Sequence, residues 1–265
     1  MRPFRIFVCT LLLLNCPVNS PAQPQTPSAT QPSQLVQQAL AALSGGQSIT
    51  DVTLTGSAQS IAGSDNQTGT ATLKAVASGA SSLNLSLSSG PRNEILNASV
   101  TPATGSWSGP DAVAHPIAFH NLLTGPFWFF PAFALAASSS ASGTTVTYIG
   151  AETHYGEAVQ HLTITQSATV AFPAGVPSYA HLTQLDFYLD ATTFLPAALA
   201  FNIHPDNNAL LDIPVEIRFS AYTAATGAQI PFHVQKFINN TLSIDLQVQS
   251  ATLNTGLTVA QITGN

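Results

Sequence analysis

The sequence has 265 residues, of which only 7% are charged (6 Lys and Arg, 12 Asp and Glu), against roughly 25% in an ordinary soluble domain. Apolar residues make up 45% of the chain, which is enough to build a core and argues against disorder. Beyond residue 22 the cations are Lys74, Arg92, Arg218 and Lys236, which are far apart in sequence. Neutralising phosphates requires clustered Lys and Arg, so this pattern excludes a nucleic-acid partner.

Residues 1–22 have the order of a secretory signal peptide. Arg2 and Arg5 precede an apolar run, residues 6–14, and small or helix-breaking residues lead up to Ala22. An apolar run of about nine residues is too short to cross a bilayer, which takes about 20 residues in a helix. We therefore predict an exported protein, periplasmic or extracellular, with no transmembrane span in its mature chain.

Both cysteines of the chain, Cys9 and Cys16, lie inside this signal segment. The mature chain therefore has no thiol and no disulfide. The residues before Cys16 resemble a lipobox, which makes a lipid anchor at Cys16 the alternative to removal of the whole segment. Asn15 stands where that motif requires a small residue, so we expect cleavage near Ala22.

The remaining chain divides into a linker, one β domain and a tail. Residues 23–33 are rich in Pro, Gln, Ser and Thr and predict a flexible linker. Ser33 is positioned to cap a helix whose apolar residues follow helical spacing as far as Leu43, and Gly45-Gly46 would end that helix. We assign residues 34–257 to a single domain and residues 258–265 to a C-terminal tail.

From residue 52 onwards apolar residues alternate with polar ones, which predicts antiparallel strands with one apolar and one polar face. The stretches 52–58 and 71–75 flank a Gly-containing turn at 63–69 and predict a first hairpin. The same alternation returns in stretches 83–87, 185–189, 215–219, 230–234 and 242–248. The pattern predicts a mainly β fold with few helices.

An aromatic insert without alternation separates the two groups of strands. Five of the chain's sixteen Phe and Trp residues lie in the seven positions 127–133. Pro131 lies among them, which favours a short helical or looped segment. The preceding Gly125-Pro126 pair is a candidate pivot for movement of this insert.

Several motifs follow one another in an order typical of one known family. They are the first hairpin, a Trp strand with an Asp turn (Trp107–Asp111), the aromatic insert, the stretch Leu185-Asp186-Phe187-Tyr188-Leu189-Asp190 with Phe194-Leu195-Pro196, and Tyr222 with Gly227-Ala228-Gln229-Ile230-Pro231-Phe232. Over roughly residues 34–255 this order resembles the LolA-like superfamily of periplasmic lipoprotein carriers. The resemblance implies a curved antiparallel sheet forming an open half-barrel, with an N-terminal helix and a short aromatic helical lid.

The resemblance also implies a ligand, namely the acyl chains of a lipid or lipoprotein held under the lid on the apolar concave face. The candidate lid and lipid-binding residues are Trp107, Phe119, Phe127, Trp128, Phe129, Phe130 and Phe133. No catalytic residue, cofactor or metal is expected.

Two other interpretations of the sequence stay open. In the first, the same rings fill the concave face and the protein is an exported scaffold or adhesion module; a carrier should instead show an apolar cavity of about 300 Å³ or more. In the second, the protein is an enzyme, which would require three polar groups, for example Ser108, Asp111 and His115, to converge in that cavity within hydrogen-bond reach.

Metal binding has weak support from sequence spacing. His115 and His120 are five positions apart, which places them on different faces of a helix, so a zinc site is not expected. His204, Asp206, Asp212 and Glu216 could supply calcium ligands, but their spacing differs from known calcium loops. His161, His181 and His233 are expected at outward positions of strands.

Overall fold

The computed structural model of the protein describes residues 31–168 and 178–264. The predicted signal peptide 1–22, Cys16 with its alternative lipid anchor, and residues 23–30 of the predicted linker lie outside the described residues. Helix α1 spans Gln31–Ser44, so residues 31–33 are helical. Ser33 therefore lies inside the helix and does not cap it.

The strands of the described residues form one antiparallel sheet. Strands from the first half are β1 (Asp51–Ala62), β2 (Asp65–Val76), β3 (Ala80–Leu87), β4 (Gly90–Asn97), β5 (Thr104–Ser108) and β6 (Ala114–Pro116). Strands from the second half are β7 (Thr144–His154), β8 (Glu157–Gln166), β9 (Leu185–Asp190), β10 (Pro196–Ile203), β11 (Ile213–Ala225), β12 (Ala228–Ile238) and β13 (Thr241–Leu253). This confirms the predicted mainly β fold. Their order in the sheet is β6-β5-β4-β3-β2-β1-β13-β12-β11-β10-β9-β8-β7.

Short helices accompany the sheet. Besides α1 they are the 3₁₀ helix Phe119–Leu122, α2 (Pro131–Ser140), α3 (Tyr179–Leu182) and α4 (Val259–Thr263). Within 31–168 and 178–264, no helix is long and apolar enough to cross a membrane. Helix α4 buries Ile262 against Val76 and Ala80, so the predicted tail contains a packed helix.

The first hairpin is confirmed, but its turn is shorter than predicted. Ala62 pairs directly with Asp65, so only Gly63 and Ser64 form the turn instead of residues 63–69. The polar residues 65–69, which the sequence pattern assigns to the turn, belong to strand β2. They pair with β1 through backbone hydrogen bonds, which form whether the side chain is polar or apolar.

The sheet is open, and the aromatic insert connects its two edges. Strands β6 and β7 are consecutive in the chain but lie at opposite edges of the sheet. In a flat sheet these edges would be about 58 Å apart, because neighbouring strands are about 4.8 Å apart. The connection, residues 117–143, contains a 3₁₀ turn and a 10-residue helix in place of fully extended chain. The rings of this connection share one core with strands from both halves of the sheet, so the sheet curves around the insert.

Two glycines in the central strands permit very close backbone packing. A Cβ atom on Gly56 of β1 would lie 2.0 Å from the carbonyl oxygen of Gln247, and one on Gly69 of β2 would lie 1.8 Å from that of Ser86. The β1–β13 register also shifts directly beside Gly56, and such an irregularity bends a strand. Only glycine fits at these two positions.

A single large hydrophobic core covers the concave face of the sheet. It joins strand residues from both halves to α1, α2 and the rings of the insert. Fully buried strand members include Leu54, Leu73, Leu85, Leu162, Phe187, Leu199, Ile217, Ile230 and Leu246. The predicted one-sided alternation is thereby confirmed, because all of these residues except Leu162 and Leu199 are apolar members of the alternating stretches.

Asp51 connects the start of β1 to the segment after β13. Asp51 is 1% exposed. Its carboxylate accepts hydrogen bonds from Thr255 N at 2.9 Å, Thr255 Oγ1 at 2.8 Å and Gly256 N at 3.0 Å. Burial by itself raises the pKa of Asp51, but these hydrogen bonds outweigh it and lower the pKa below its usual value.

We expect Asp51→Asn to reduce the free energy of unfolding by about 1–3 kcal/mol at pH 7, the usual cost of weakening buried hydrogen bonds to a charged group. Since the folded-state pKa is depressed, this contribution is complete above the unfolded pKa and is lost as pH falls through the folded value. Urea unfolding at pH 7 and pH 3 should show the two proteins converging at the lower pH. An equal difference at both pH values would contradict this account, and Asp65→Asn at the exposed start of β2 serves as the control.

Candidate functional site

A cleft of about 590 Å³ opens on the concave side of the sheet. Its apolar lining includes Leu87, Leu96, Ile117, Trp128, Phe201 and Ile203. Its charged lining residues are Asp65, Arg92, Glu94, Asp206 and Lys236. The volume falls in the range of about 300–1,000 Å³ that is typical of small-molecule sites, and it exceeds the minimum expected for a carrier.

Three of the charged residues occupy inward positions of the strands. In the β3–β4 ladder Arg92 is opposite Leu85 and Glu94 is opposite Leu83, and directly opposite residues share one face of a sheet. Lys236 lies two positions after the buried Val234 and therefore faces the same side. A charged residue at a position where the alternation requires an apolar one can indicate a binding site. The sequence analysis did not identify Arg92, Glu94 or Lys236 by this signal.

Trp128 joins the two sides of the cleft. Its indole Nε1 donates a hydrogen bond to Glu94 Oε1 at 3.3 Å, and Lys236 Nζ lies 4.7 Å from the centroid of its ring. Strands β4 and β12 are five positions apart in the sheet order, or about 24 Å in a flat sheet. One indole contacts side chains from both strands because the sheet is curved.

The ammonium group of Lys236 lies in an environment that disfavours its charge. Burial lowers the pKa of Lys236, the charge of Arg92 lowers it further, and the charge of Glu94 partly opposes this effect. Among the described residues, Lys236 has its cation–π contact with Trp128 but no hydrogen bond or salt bridge. A polar or anionic group of a ligand could therefore pair with it.

No protein-family model matches the sequence, and a comparison with curated proteins finds no match. Solved structures do match. A domain described as an outer membrane lipoprotein-sorting protein, from Vibrio parahaemolyticus, has a TM-score of 0.57 at 14% identity, covering 89% of this chain and 98% of its own. The fold is LolA-like. A LolA superfamily protein from Nitrosomonas europaea gives a TM-score of 0.51 at 10% identity, with 84% of this chain and 93% of its own covered.

A DUF1329 family protein from Desulfovibrio piger also matches, with a TM-score of 0.53 at 8% identity over 87% of this chain and 96% of its own. At these identities the comparisons establish the fold alone. They confirm the resemblance inferred from the order of the sequence motifs, including the open sheet.

The insert of this LolA-like fold contributes most of its rings to the core. Phe127, Phe129, Phe130 and Phe133 are between 0% and 5% exposed and do not line the cleft. Phe133 contacts Phe127 and Phe130 edge to face, with ring centroids 5.5 Å and 4.8 Å apart. Of the five clustered rings, only Trp128 forms part of the cleft wall.

The two other predicted aromatic residues are exposed. Trp107 is 43% exposed at the rim of the cleft, and its ring stacks on His115 with centroids 4.4 Å apart. Phe119 is 47% exposed but is not among the residues that line the cleft. The structure thus brings Trp107 and Trp128 together at one site and leaves Phe119 outside it.

The backbone before α2 is strained next to the cleft. Gly125, half of the predicted pivot, lines the cleft, and Phe127 has a φ of 71°. A bulky residue in this left-handed region costs about 1–2 kcal/mol. Burial of the Phe127 ring, which is 2% exposed, offsets that cost and holds the insert in place.

The three polar residues named as an example for the enzyme hypothesis, Ser108, Asp111 and His115, are not joined by hydrogen bonds. Ser108 Oγ accepts a hydrogen bond from Asn93 Nδ2 at 3.2 Å, and Asp111 Oδ1 accepts one from Val113 N at 3.1 Å. His115 stacks on Trp107. Each residue therefore has a different partner, and no proton relay connects them within the described part of the chain.

A Ser, His and Asp set does occur on the opposite, outward face of the sheet. Ser220 Oγ is 3.2 Å from His233 Nδ1, and His233 Nε2 is 3.0 Å from Asp245 Oδ1. Gln235 and Gln247 also donate to Asp245. The set is part of a polar ladder across β11, β12 and β13, and it does not line the cleft.

The structure changes two expectations about histidines and carboxylates, namely that His181 lies in a strand and that His204, Asp206, Asp212 and Glu216 gather as calcium ligands. His181 lies in helix α3 and not in a strand, whereas His161 and His233 do lie in strands. Asp212 bonds to His181 and His204. Glu216 instead pairs with His154 and Arg218.

The burial difference between the rings predicts different effects of truncation. Phe130→Ala should lower the free energy of unfolding by about 3–5 kcal/mol, because it leaves a cavity in the core. Trp107→Ala should lower it by less than about 1 kcal/mol, because the ring is largely exposed. Chemical denaturation of the two variants measures this difference. Similar losses would show that the insert is packed less tightly than its burial indicates.

Proposed function

We propose that this protein is an exported, non-catalytic carrier-like protein that binds acyl chains of a lipid or lipoprotein in the cleft of its LolA-like fold. The observation that carries the proposal is the open cleft of about 590 Å³ on the concave face. Its wall combines apolar side chains of the sheet with Trp128 of the insert. Export rests on the signal-peptide pattern of residues 1–22.

The binding energy required is modest. Burying a methylene group contributes about 0.8 kcal/mol, and a micromolar Kd corresponds to about −8.2 kcal/mol. About ten buried methylenes therefore suffice, before any contact with the polar end of the ligand. An apolar wall needs no directed chemistry to supply this energy.

The charged lining residues favour a ligand with a polar end. Lys236 and Arg92 lie beside Glu94 on the inward face, and Lys236 has no hydrogen-bond partner from the described chain. A carboxylate or phosphate ester at the end of an acyl chain would pair with this ammonium group. Charge-assisted hydrogen bonds of this kind are stronger than neutral ones.

An exported scaffold remains the second candidate. Its specific support is that Phe127, Phe129, Phe130 and Phe133 are buried and fill much of the concave face themselves. Under this hypothesis the cleft is a surface depression beside a fully packed core, and it holds no acyl chain.

Native mass spectrometry of the protein purified from an exporting host should show a bound lipid. Empty protein that also fails to bind a fluorescent fatty acid would reject the carrier function and leave the scaffold.

Trp107→Ala should weaken fatty-acid binding by about tenfold with little loss of stability, because it removes rim contact area. Phe119→Ala, an equally exposed ring outside the cleft, is the matched control and should bind normally.

Lys236→Met tests the polar end of the cleft. The free energy of unfolding should stay within about 1 kcal/mol of the original or increase, because an apolar isostere removes the cost of burying a charge. Affinity for a fatty acid should fall, whereas affinity for its methyl ester should be unchanged. Equal changes for the acid and the ester, measured by displacement of a fluorescent probe, would show that Lys236 does not contact the ligand head.

A further inference from the structure

We propose that His181, His204 and Asp212 form a binding site for a divalent transition-metal ion, with Zn²⁺ as the best match. The three residues come from helix α3 and from the two ends of the β10–β11 loop. This site borders the cleft, because His204 lines it, but neither the family-level fold nor acyl binding requires it.

The ligand atoms converge on one point. Asp212 Oδ1 lies 2.9 Å from His181 Nε2 and 3.0 Å from His204 Nε2. One ligand atom from each residue lies within 4.8 Å of the others. Zinc–nitrogen bonds of about 2.0–2.1 Å in a tetrahedron separate ligand atoms by about 3.3 Å. Each carboxylate–imidazole separation is therefore within a few tenths of an ångström of the value that an ion requires, and the two imidazole nitrogens, which lie within 4.8 Å of each other, would have to approach to about 3.3 Å.

Burial and neighbouring groups favour the neutral form of His204 and the ionised form of Asp212. Burial lowers the pKa of His204, and the neighbouring His120 and His181 lower it further against the opposing effect of Asp212. Burial raises the pKa of Asp212, but hydrogen bonds and charge from His181 and His204 outweigh this and lower it. A neutral imidazole and an ionised carboxylate are the forms that coordinate a metal.

The backbone around the central ligand is held in place. Asn121 of the 3₁₀ helix receives a hydrogen bond from His204 N and donates one to His204 O, both at 2.8 Å. Helix α3 is tied to the end of β8, because Gln166 N donates to Thr183 Oγ1 at 2.9 Å. Ligands held on rigid supports lose little freedom when an ion binds.

Polar groups around His204 are left without protein partners. The His204 side chain is 1% exposed, and its Nδ1 has no hydrogen-bond partner in the described chain. His120 contacts this ring edge to face, with centroids 5.6 Å apart, and its buried Nε2 is also unpartnered. Both atoms therefore need a hydrogen-bond partner from outside the described chain, such as an ordered water molecule.

The donor set selects the class of ion. Two imidazoles and one carboxylate suit zinc and other first-row transition metals, whereas calcium prefers six to eight oxygen ligands. Three protein ligands leave a position for water. The side chains of His181 and Asp212 are 38% and 41% exposed, so an ion can enter from solvent.

A metal-free hydrogen-bond network is the competing explanation. Both imidazoles could donate Nε2–H to the carboxylate of Asp212. In that case the cluster needs no ion, and added zinc would bind no more tightly than at any exposed histidine. The two explanations therefore differ in stoichiometry, affinity and spectrum.

The test uses the full chain without a polyhistidine tag, treated with EDTA and dialysed. Isothermal titration with Zn²⁺ should give one site per chain with a micromolar or tighter Kd, and Zn²⁺ should raise the Tm. Co²⁺ should give the visible absorption of a low-coordinate nitrogen and oxygen site. His181→Asn and Asp212→Asn should each weaken Zn²⁺ binding by at least about tenfold; both side chains are partly exposed, and the Tm without metal verifies their folding.

His233→Asn is the matched control. His233 forms a pair with Asp245 at 3.0 Å, the same separation as His204 and Asp212, but without a second histidine on that carboxylate among the described residues. Its Zn²⁺ affinity should equal that of the original protein. The proposal is overturned by absence of stoichiometric binding, by unchanged affinity in both ligand variants, or by an equal loss in the control. Lipid binding is measured separately, so failure of one proposal does not affect the other.

Discussion

Burial of the aromatic insert against the concave face of the sheet is the interaction on which the rest of the architecture depends. The insert runs from one edge strand to the other and packs in one core with strands from both halves, which is possible because the sheet curves. Its rings gain free energy by leaving water, which offsets the strained backbone at Phe127. Beside Trp128, where these rings end, the curved sheet is not filled, and the cleft occupies that space.

The cleft carries an energetic cost that packing alone does not explain. Arg92, Glu94 and Lys236 interrupt apolar series that would otherwise continue the core. A partly buried ammonium group is rarely optimal for stability, and here its contact is the face of an indole. In the proposed function, these inward charges contact the polar end of the ligand. On the opposite rim His204 lines the same cleft, so the proposed metal site would border the ligand.

The sequence predicted the strands well because backbone periodicity and burial agree in them. It failed where the partner of a residue comes from a distant segment. Ser33 has the chemistry of a helix cap but lies inside α1, and the predicted tail includes a helix because Ile262 finds an apolar contact between β2 and β3. His181 was expected in a strand, whereas it lies in α3. Local patterns do not encode such contacts, which depend on chain segments far apart in sequence.

By itself the sequence determined a sheet with one apolar face, a concentrated aromatic insert and a LolA-like order of elements, because alternation and composition are local properties. Only the tertiary structure decided which rings fill the core and which two, Trp107 and Trp128, reach the cleft. It also brought Lys236 to Glu94 and His181 to Asp212. Such pairs form because curvature brings non-neighbouring strands together and because loops from different strands meet at one rim, and neither effect leaves a periodic signal in the chain.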